Sequence, residues 1–130
     1  MTSPIRVLLA EDNEDLSEAV VALLGFHPDI ECVGVAPTLD RVLNDAAAQK
    51  AQVVVLDVEL SGESSLKKLP VLRSTLPNAA FIMFSGHDHP EMIKAARAAG
   101  AVDYVVKSAG LDELVTAIRA AATSALTVPR

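Results

Sequence analysis

Apolar residues in this chain fall into five short blocks, separated by stretches in which they recur every three or four positions. The blocks cover residues 5–10, 30–36, 53–56, 79–84 and 102–106. Each is too short for a typical helix and holds β-branched or aromatic residues, so each predicts a strand. The third, Val53, Val54, Val55 and Leu56, is uninterrupted, as expected of a strand covered on both faces. The second alternates in part, which suits a sheet edge.

The intervening stretches read as helices with one apolar face each. Leu16, Val20, Leu23 and Leu24 form the first, which ends near Gly25. Leu39, Val42, Leu43 and Ala46 form the second, with Thr38 placed to cap it. Leu66, Leu69 and Leu72 form the third behind Ser64, where Pro70 predicts a kink or an early break. Residues 59–64 before it read as a turn-rich loop. Met92, Ile93 and Ala96 follow Pro90 and stop at Gly100, and Leu111, Leu114, Val115 and Ile118 line the last helix. From about Thr123 the chain reads as a frayed tail.

Five strands alternating with five helices predict an α/β domain with a doubly wound parallel sheet, because parallel neighbours need right-handed crossovers. In the flavodoxin-like order 2-1-3-4-5, ligands bind at the carboxyl ends of the strands, where strands one and three meet. The domain is expected over residues 4–123, with 124–130 a tail or the start of a linker.

Four of the apolar blocks end in groups able to do chemistry: Glu11 and Asp12, Asp57, Ser85 and Lys107. Three carboxylates within ~5 Å would repel by about 3 kcal/mol per pair at an effective dielectric of ~20. A hard divalent cation with oxygen ligands removes the conflict, and Mg²⁺ suits an open site of this kind. Lys107 adds a compact cation, and the Ser85 hydroxyl adds a donor for an anionic oxygen. An Asp in such company can be a covalent nucleophile that forms an acyl phosphate.

Composition narrows the classes. The net charge of −6 argues against direct nucleic-acid binding, which needs a basic face. No apolar run approaches the roughly 20 residues that span a bilayer, and no signal-peptide pattern opens the chain. A single cysteine, Cys32, allows no internal disulfide, which fits a reducing compartment and an expected cytoplasmic location.

The pattern Val7-Leu8-Leu9-Ala10-Glu11-Asp12-Asn13, Val55-Leu56-Asp57, Phe84-Ser85-Gly86-His87 and Asp103-Tyr104-Val105-Val106-Lys107 resembles the receiver domain of two-component response regulators. The resemblance runs from Ile5 to about Ala122. It implies that Asp57 accepts a phosphoryl group from a histidine kinase or a histidine phosphotransfer protein. Glu11, Asp12, Asp57 and the main-chain carbonyl of Glu59 would hold Mg²⁺, and Ser85 and Lys107 would contact the phosphoryl oxygens. Tyr104 matches an aromatic switch position. Glu59 and His87 match positions that modulate phosphoryl lifetime.

The family reads its state out on the fourth helix, fifth strand and fifth helix, where Lys94, Arg97, Asp103 and Arg119 are the expected surface residues. A downstream partner or an output domain outside these residues is implied, and a homodimer of the phosphorylated form is permitted. The domain would catalyse only its own phosphorylation and autodephosphorylation. Two departures stand out. Ser61-Gly62 occupies the place of a frequent proline followed by glycine, which should loosen the turn. Ser108 follows Lys107 where many receivers have a cis proline, so a trans bond is expected. Competing readings are a haloacid-dehalogenase-type Mg²⁺-dependent phosphatase, in which Glu59 would replace the usual second Asp, and a degenerate receiver acting as a constitutive binding module.

Overall fold

All five apolar blocks become strands of one parallel sheet. A computed structural model describes residues 3–127. In chain order the elements are β1 (Ile5–Ala10), α1 (Glu14–Gly25), β2 (Ile30–Ala36), α2 (Leu39–Ala48), β3 (Val53–Asp57), β4 (Glu59–Leu60), β5 (Glu63–Ser64), α3 (Ser65–Thr75), β6 (Ala80–Ser85), α4 (Pro90–Ala99), β7 (Asp103–Val106) and α5 (Leu111–Thr127). A 3₁₀ turn over Lys107–Ala109 joins the last two. The main sheet runs β2-β1-β3-β6-β7, the order expected for a flavodoxin-like domain, with the small β4-β5 hairpin apart from it.

Because side chains alternate across a strand, the sheet separates two cores. Val7, Leu9, Val53, Val55, Ile82 and Phe84 face a cluster that includes Val20 and Leu24 of α1 and Leu114 and Ile118 of α5. Leu8, Ala10, Val54, Leu56, Phe81 and Met83 face one that includes Val42 of α2, Leu69 and Leu72 of α3 and Ala96 of α4. Every residue of β3 is buried. β3 is thus a rigid stem in mid-sheet, paired through Val55 with Leu9 on one side and Ile82 on the other.

The second and third helices start at the expected caps, Thr38 and Ser64, and Asn13 caps α1 in the same way. The side chains of Asn13, Thr38 and Ser64 accept hydrogen bonds from the main-chain N–H of Leu16, Arg41 and Lys67. Pro90 opens α4, and Gly100 closes it in the left-handed region at φ 111°.

Four expectations need correction. Pro70 neither shortens nor divides α3, which runs on to Thr75. Proline removes one ladder bond there, and Pro70 is exposed, so hydration can compensate. The turn-rich loop after β3 is instead a hairpin, with Glu59 paired to Ser64 and Leu60 to Glu63. Helix α5 continues through Thr127, past the expected start of a tail at Thr123; residues 128–130 of that tail lie outside the described residues. The last strand begins at Asp103 rather than Val102.

An alanine Cβ at Gly100 would come within 2.3 Å of the Arg73 side chain, besides adopting an unfavourable φ. The arginine can move and the backbone cannot. Gly100→Ala should therefore destabilise the protein by about 1–2 kcal/mol, read from the urea midpoint; an unchanged midpoint would contradict this account of the α4 terminus.

Candidate functional site

The carboxyl ends of β1, β3, β6 and β7 converge on one acidic crevice. Glu11 and Asp12 follow β1 directly, Asp57 ends β3, Ser85 ends β6 and Lys107 follows β7. One oxygen from each of Glu11, Asp12 and Asp57 lies within 4.8 Å of the others. Glu11 is 2% and Asp57 9% exposed, whereas Asp12 is open to solvent.

Lys107 spans the two buried carboxylates. Its Nζ lies 2.9 Å from Glu11 Oε1 and 3.1 Å from Asp57 Oδ2. The second contact is an aligned hydrogen bond; the first is an ion pair without hydrogen-bond alignment. The same ammonium stands 5.5 Å from the centre of the Phe84 ring. Further donors fix the carboxylates: Asn13 N–H reaches Glu11 Oε2, and Glu59 N–H reaches Asp57 Oδ1 at 3.3 Å.

Despite these contacts Asp57 is reluctant to ionise. Burial, and then the charge of Glu11, push its carboxyl up from an ordinary 3.8 to about 6, against the pull of Lys107 and the Glu59 amide. Lys107 moves up as well. Burial disfavours its charge, but the neighbouring carboxylates of Glu11 and Asp57 outweigh that effect.

The buried Ser85 hydroxyl accepts a hydrogen bond from His87 N–H at 3.1 Å, and the Tyr104 hydroxyl donates to the His87 carbonyl at 2.9 Å. Ser85 and Tyr104 thus hold opposite sides of one residue. His87 and His89 are exposed, their rings 5.7 Å apart and nearly parallel. The Glu59 side chain is also exposed. No cis peptide occurs among the described residues, so the Lys107–Ser108 bond is trans as expected.

Two side chains depart from expectation. Ser61 does not loosen its turn. It ties the turn down, its N–H donating to Asp12 Oδ2 at 2.7 Å and its hydroxyl to the Pro37 carbonyl at 2.6 Å. Nothing in the sequence distinguishes that serine from an ordinary turn residue. Arg119 grips both oxygens of Asp29, on the loop between α1 and β2, at 2.8 and 3.0 Å. Its guanidinium therefore engages the α1 side of α5. Arg97 and Asp103 do meet across α4 and β7, at 3.7 Å.

Fold and crevice together define a doubly wound α/β domain with an acidic, lysine-bridged pocket at its strand ends. Residues 7–119 match the family described as the response regulator receiver domain. The transcriptional regulatory protein MctR of Rhizobium johnstonii is 31% identical over 118 residues, which are 91% of this chain and 55% of that protein. The nitrate/nitrite response regulator protein NarL of Escherichia coli is 29% identical over 119 residues, 92% of this chain and 55% of that one. A LuxR-family two-component response regulator from an Aurantimonas species superimposes with a TM-score of 0.87 at 26% identity, covering 94% of this chain and 87% of that one. The chain belongs to the receiver domain family of two-component response regulators. It spans about half the length of the curated relatives it matches. Among the described residues no helix is long and apolar enough to cross a membrane.

The raised Asp57 value carries a signed consequence. The folded carboxyl titrates near 6 and an ordinary one near 3.8, so between those values the native state holds the extra proton. The stability this contributes is fully present below about pH 4 and lost as pH rises through about 6. Asp57→Asn keeps the shape and removes the charge. In metal-free solution its Tm advantage over the parent chain should widen between pH 4 and pH 7, as followed by thermal unfolding. A difference independent of pH would refute the assignment.

Proposed function

We propose that this domain is the phospho-acceptor of a two-component relay, taking a phosphoryl group on Asp57 from a phosphohistidine of a histidine kinase or a histidine phosphotransfer protein. The observation that carries the reading is the lysine-bridged pair of buried carboxylates beside a third acid. A nucleophile is held close to its neutral range and next to a cation, at the mouth of an open crevice. An Asp57 oxygen attacks phosphorus, an O–P bond forms, and the N–P bond of the donor imidazole breaks with the electron pair returning to nitrogen.

The donor set is entirely hard oxygen, which fits Mg²⁺. Glu11, Asp12, Asp57 and the Glu59 carbonyl would hold it. When bound, the ion neutralises charge on the pocket and on the transferring phosphoryl group. Lys107 already touches Asp57 Oδ2, within reach of an oxygen of the group transferred there. It supplies positive charge where negative charge develops. The Ser85 hydroxyl uses its oxygen as an acceptor at rest and keeps its proton available to donate to a phosphoryl oxygen.

Readout begins with Ser85. If it turns toward the phosphoryl group, His87 N–H loses its acceptor and the residue gripped by Tyr104 is disturbed. The affected face comprises α4, β7 and α5, where an output domain or a separate partner would dock. Phosphorylation-dependent pairing of two copies is a further use of the same face. Glu59 and His87, both exposed at the rim, would shape the access of attacking water and so the lifetime of the acyl phosphate.

Incubation with acetyl phosphate and Mg²⁺ should add the mass of one phosphoryl group to the chain, and Asp57→Asn should abolish the gain. Equal gain in the variant, or none in the parent chain, would sink the proposal. Substitution of Glu59 or His87 should change the decay rate of the phosphorylated form, timed by loss of that mass. Unchanged decay would remove both residues from the mechanism.

A further inference from the structure

Two of the chain's three histidines, His87 and His89, lie on the loop between β6 and α4. Both are exposed, with ring centres 5.7 Å apart and planes 17° from parallel. Among the described residues neither imidazole has a hydrogen-bond or ion-pair partner, so their nitrogens face water and each other. The third histidine is engaged elsewhere, its Nδ1 3.1 Å from the Arg119 guanidinium.

The backbone beneath each ring is held from two sides. His87 N–H donates to the Ser85 hydroxyl, and the His87 carbonyl accepts from Tyr104. The His89 carbonyl accepts from the N–H groups of Met92 and Ile93 at 3.0 and 3.1 Å, and Pro90 directly after it opens α4. The two rings are therefore carried on anchored residues, and little ordering remains to be done when a ligand joins them. Asp88 between them and Glu91 just beyond are exposed as well, and add negative charge favourable to a cation.

Imidazole nitrogen suits borderline transition ions such as Zn²⁺, Ni²⁺ and Cu²⁺, whereas the all-oxygen trio suits a hard ion. Two imidazoles sharing one tetrahedral ion, with Zn–N bonds of about 2.0–2.1 Å, hold their ring centres roughly 5–6 Å apart. The observed separation of 5.7 Å falls in that range. Among the described residues no third His, Cys, Asp or Glu gathers with the pair, so water completes the shell.

We propose that His87 and His89 form a second metal site, for a borderline divalent ion of the Zn²⁺ class and distinct from the acidic trio. Rotation of the two exposed rings about their own side-chain bonds turns one nitrogen of each toward the shared ion, with the loop backbone left as it is. The ion then fixes His87, the residue through which Ser85 and Tyr104 are linked. The site stands on the paired rings and does not depend on the phospho-acceptor reading.

Nuclear magnetic resonance of the imidazole ring signals tests it, in the full chain without a histidine tag, titrated with Zn²⁺ while Mg²⁺ is saturating. The His87 and His89 signals should move together along one curve, and the His27 signals should stay in place. His89→Gln keeps the position polar and the main-chain bonds intact. It should weaken the response of His87 at least about tenfold, no less than the loss of an outer partner alone costs a metal site. Asp57→Asn should leave the response of both rings in place. No movement of the two rings, movement along separate curves, or an undiminished His87 response in His89→Gln overturns the proposal. A response that vanishes in Asp57→Asn would put the ion on the acidic trio and overturns it equally.

Discussion

The ammonium of Lys107, shared between Glu11 and Asp57, is the interaction on which the rest of the site depends. Two buried carboxylates side by side are an electrostatic liability, and a fold that brings them together needs a cation fixed between them. Only the convergence of β1, β3 and β7 provides one. Glu11 leaves the first strand, Asp57 ends the middle one, and Lys107 reaches in from the edge of the sheet. The strand order is therefore a condition of the chemistry as well as its frame. The compensation is incomplete, since Asp57 stays well above the ordinary carboxylate range, and that leaves a role for a second cation.

The architecture was legible because each apolar block is short, rich in strand-forming residues and followed by a stretch of helical period, and the helix boundaries carry their own chemistry. Val53 to Leu56 reads as a covered strand by its shortness and β-branched residues, and Thr38, Ser64, Pro90 and Gly100 mark helix ends through side-chain or backbone preference. The acidic trio and Lys107 could be gathered on paper, because parallel topology sends every strand's carboxyl end the same way. Pro70 was misread because a local penalty of one lost hydrogen bond says nothing about the two packed neighbours, Leu69 and Leu72, that anchor α3.

Ser61, Arg119 and His87 mark where sequence reasoning stops. The Ser61 amide finds a carboxylate 49 positions away, and the Arg119 guanidinium an aspartate 90 positions away. Such pairings follow from the final distances between loops, which no periodicity encodes. His87 engages Ser85 and Tyr104 through its main chain, so the identity of its side chain gave no hint of the contact. Substituting a residue of that kind tests its ring but leaves the backbone link in place.

Every helix of this domain follows a strand of the sheet or the small hairpin, and so begins at the same end of the molecule, around the acidic crevice. Each helix N-terminus carries a partial positive charge of roughly half a proton from its aligned peptide dipoles. For a phosphoryl group, bringing about two negative charges, the backbone would therefore contribute a favourable component to the field, set against the negative charge of the acidic trio and of first-turn acids such as Glu14, Asp15 and Asp40. The parallel winding aligns the helix dipoles along the strand axis, with their positive ends on the side of the crevice and their negative ends where the helices stop.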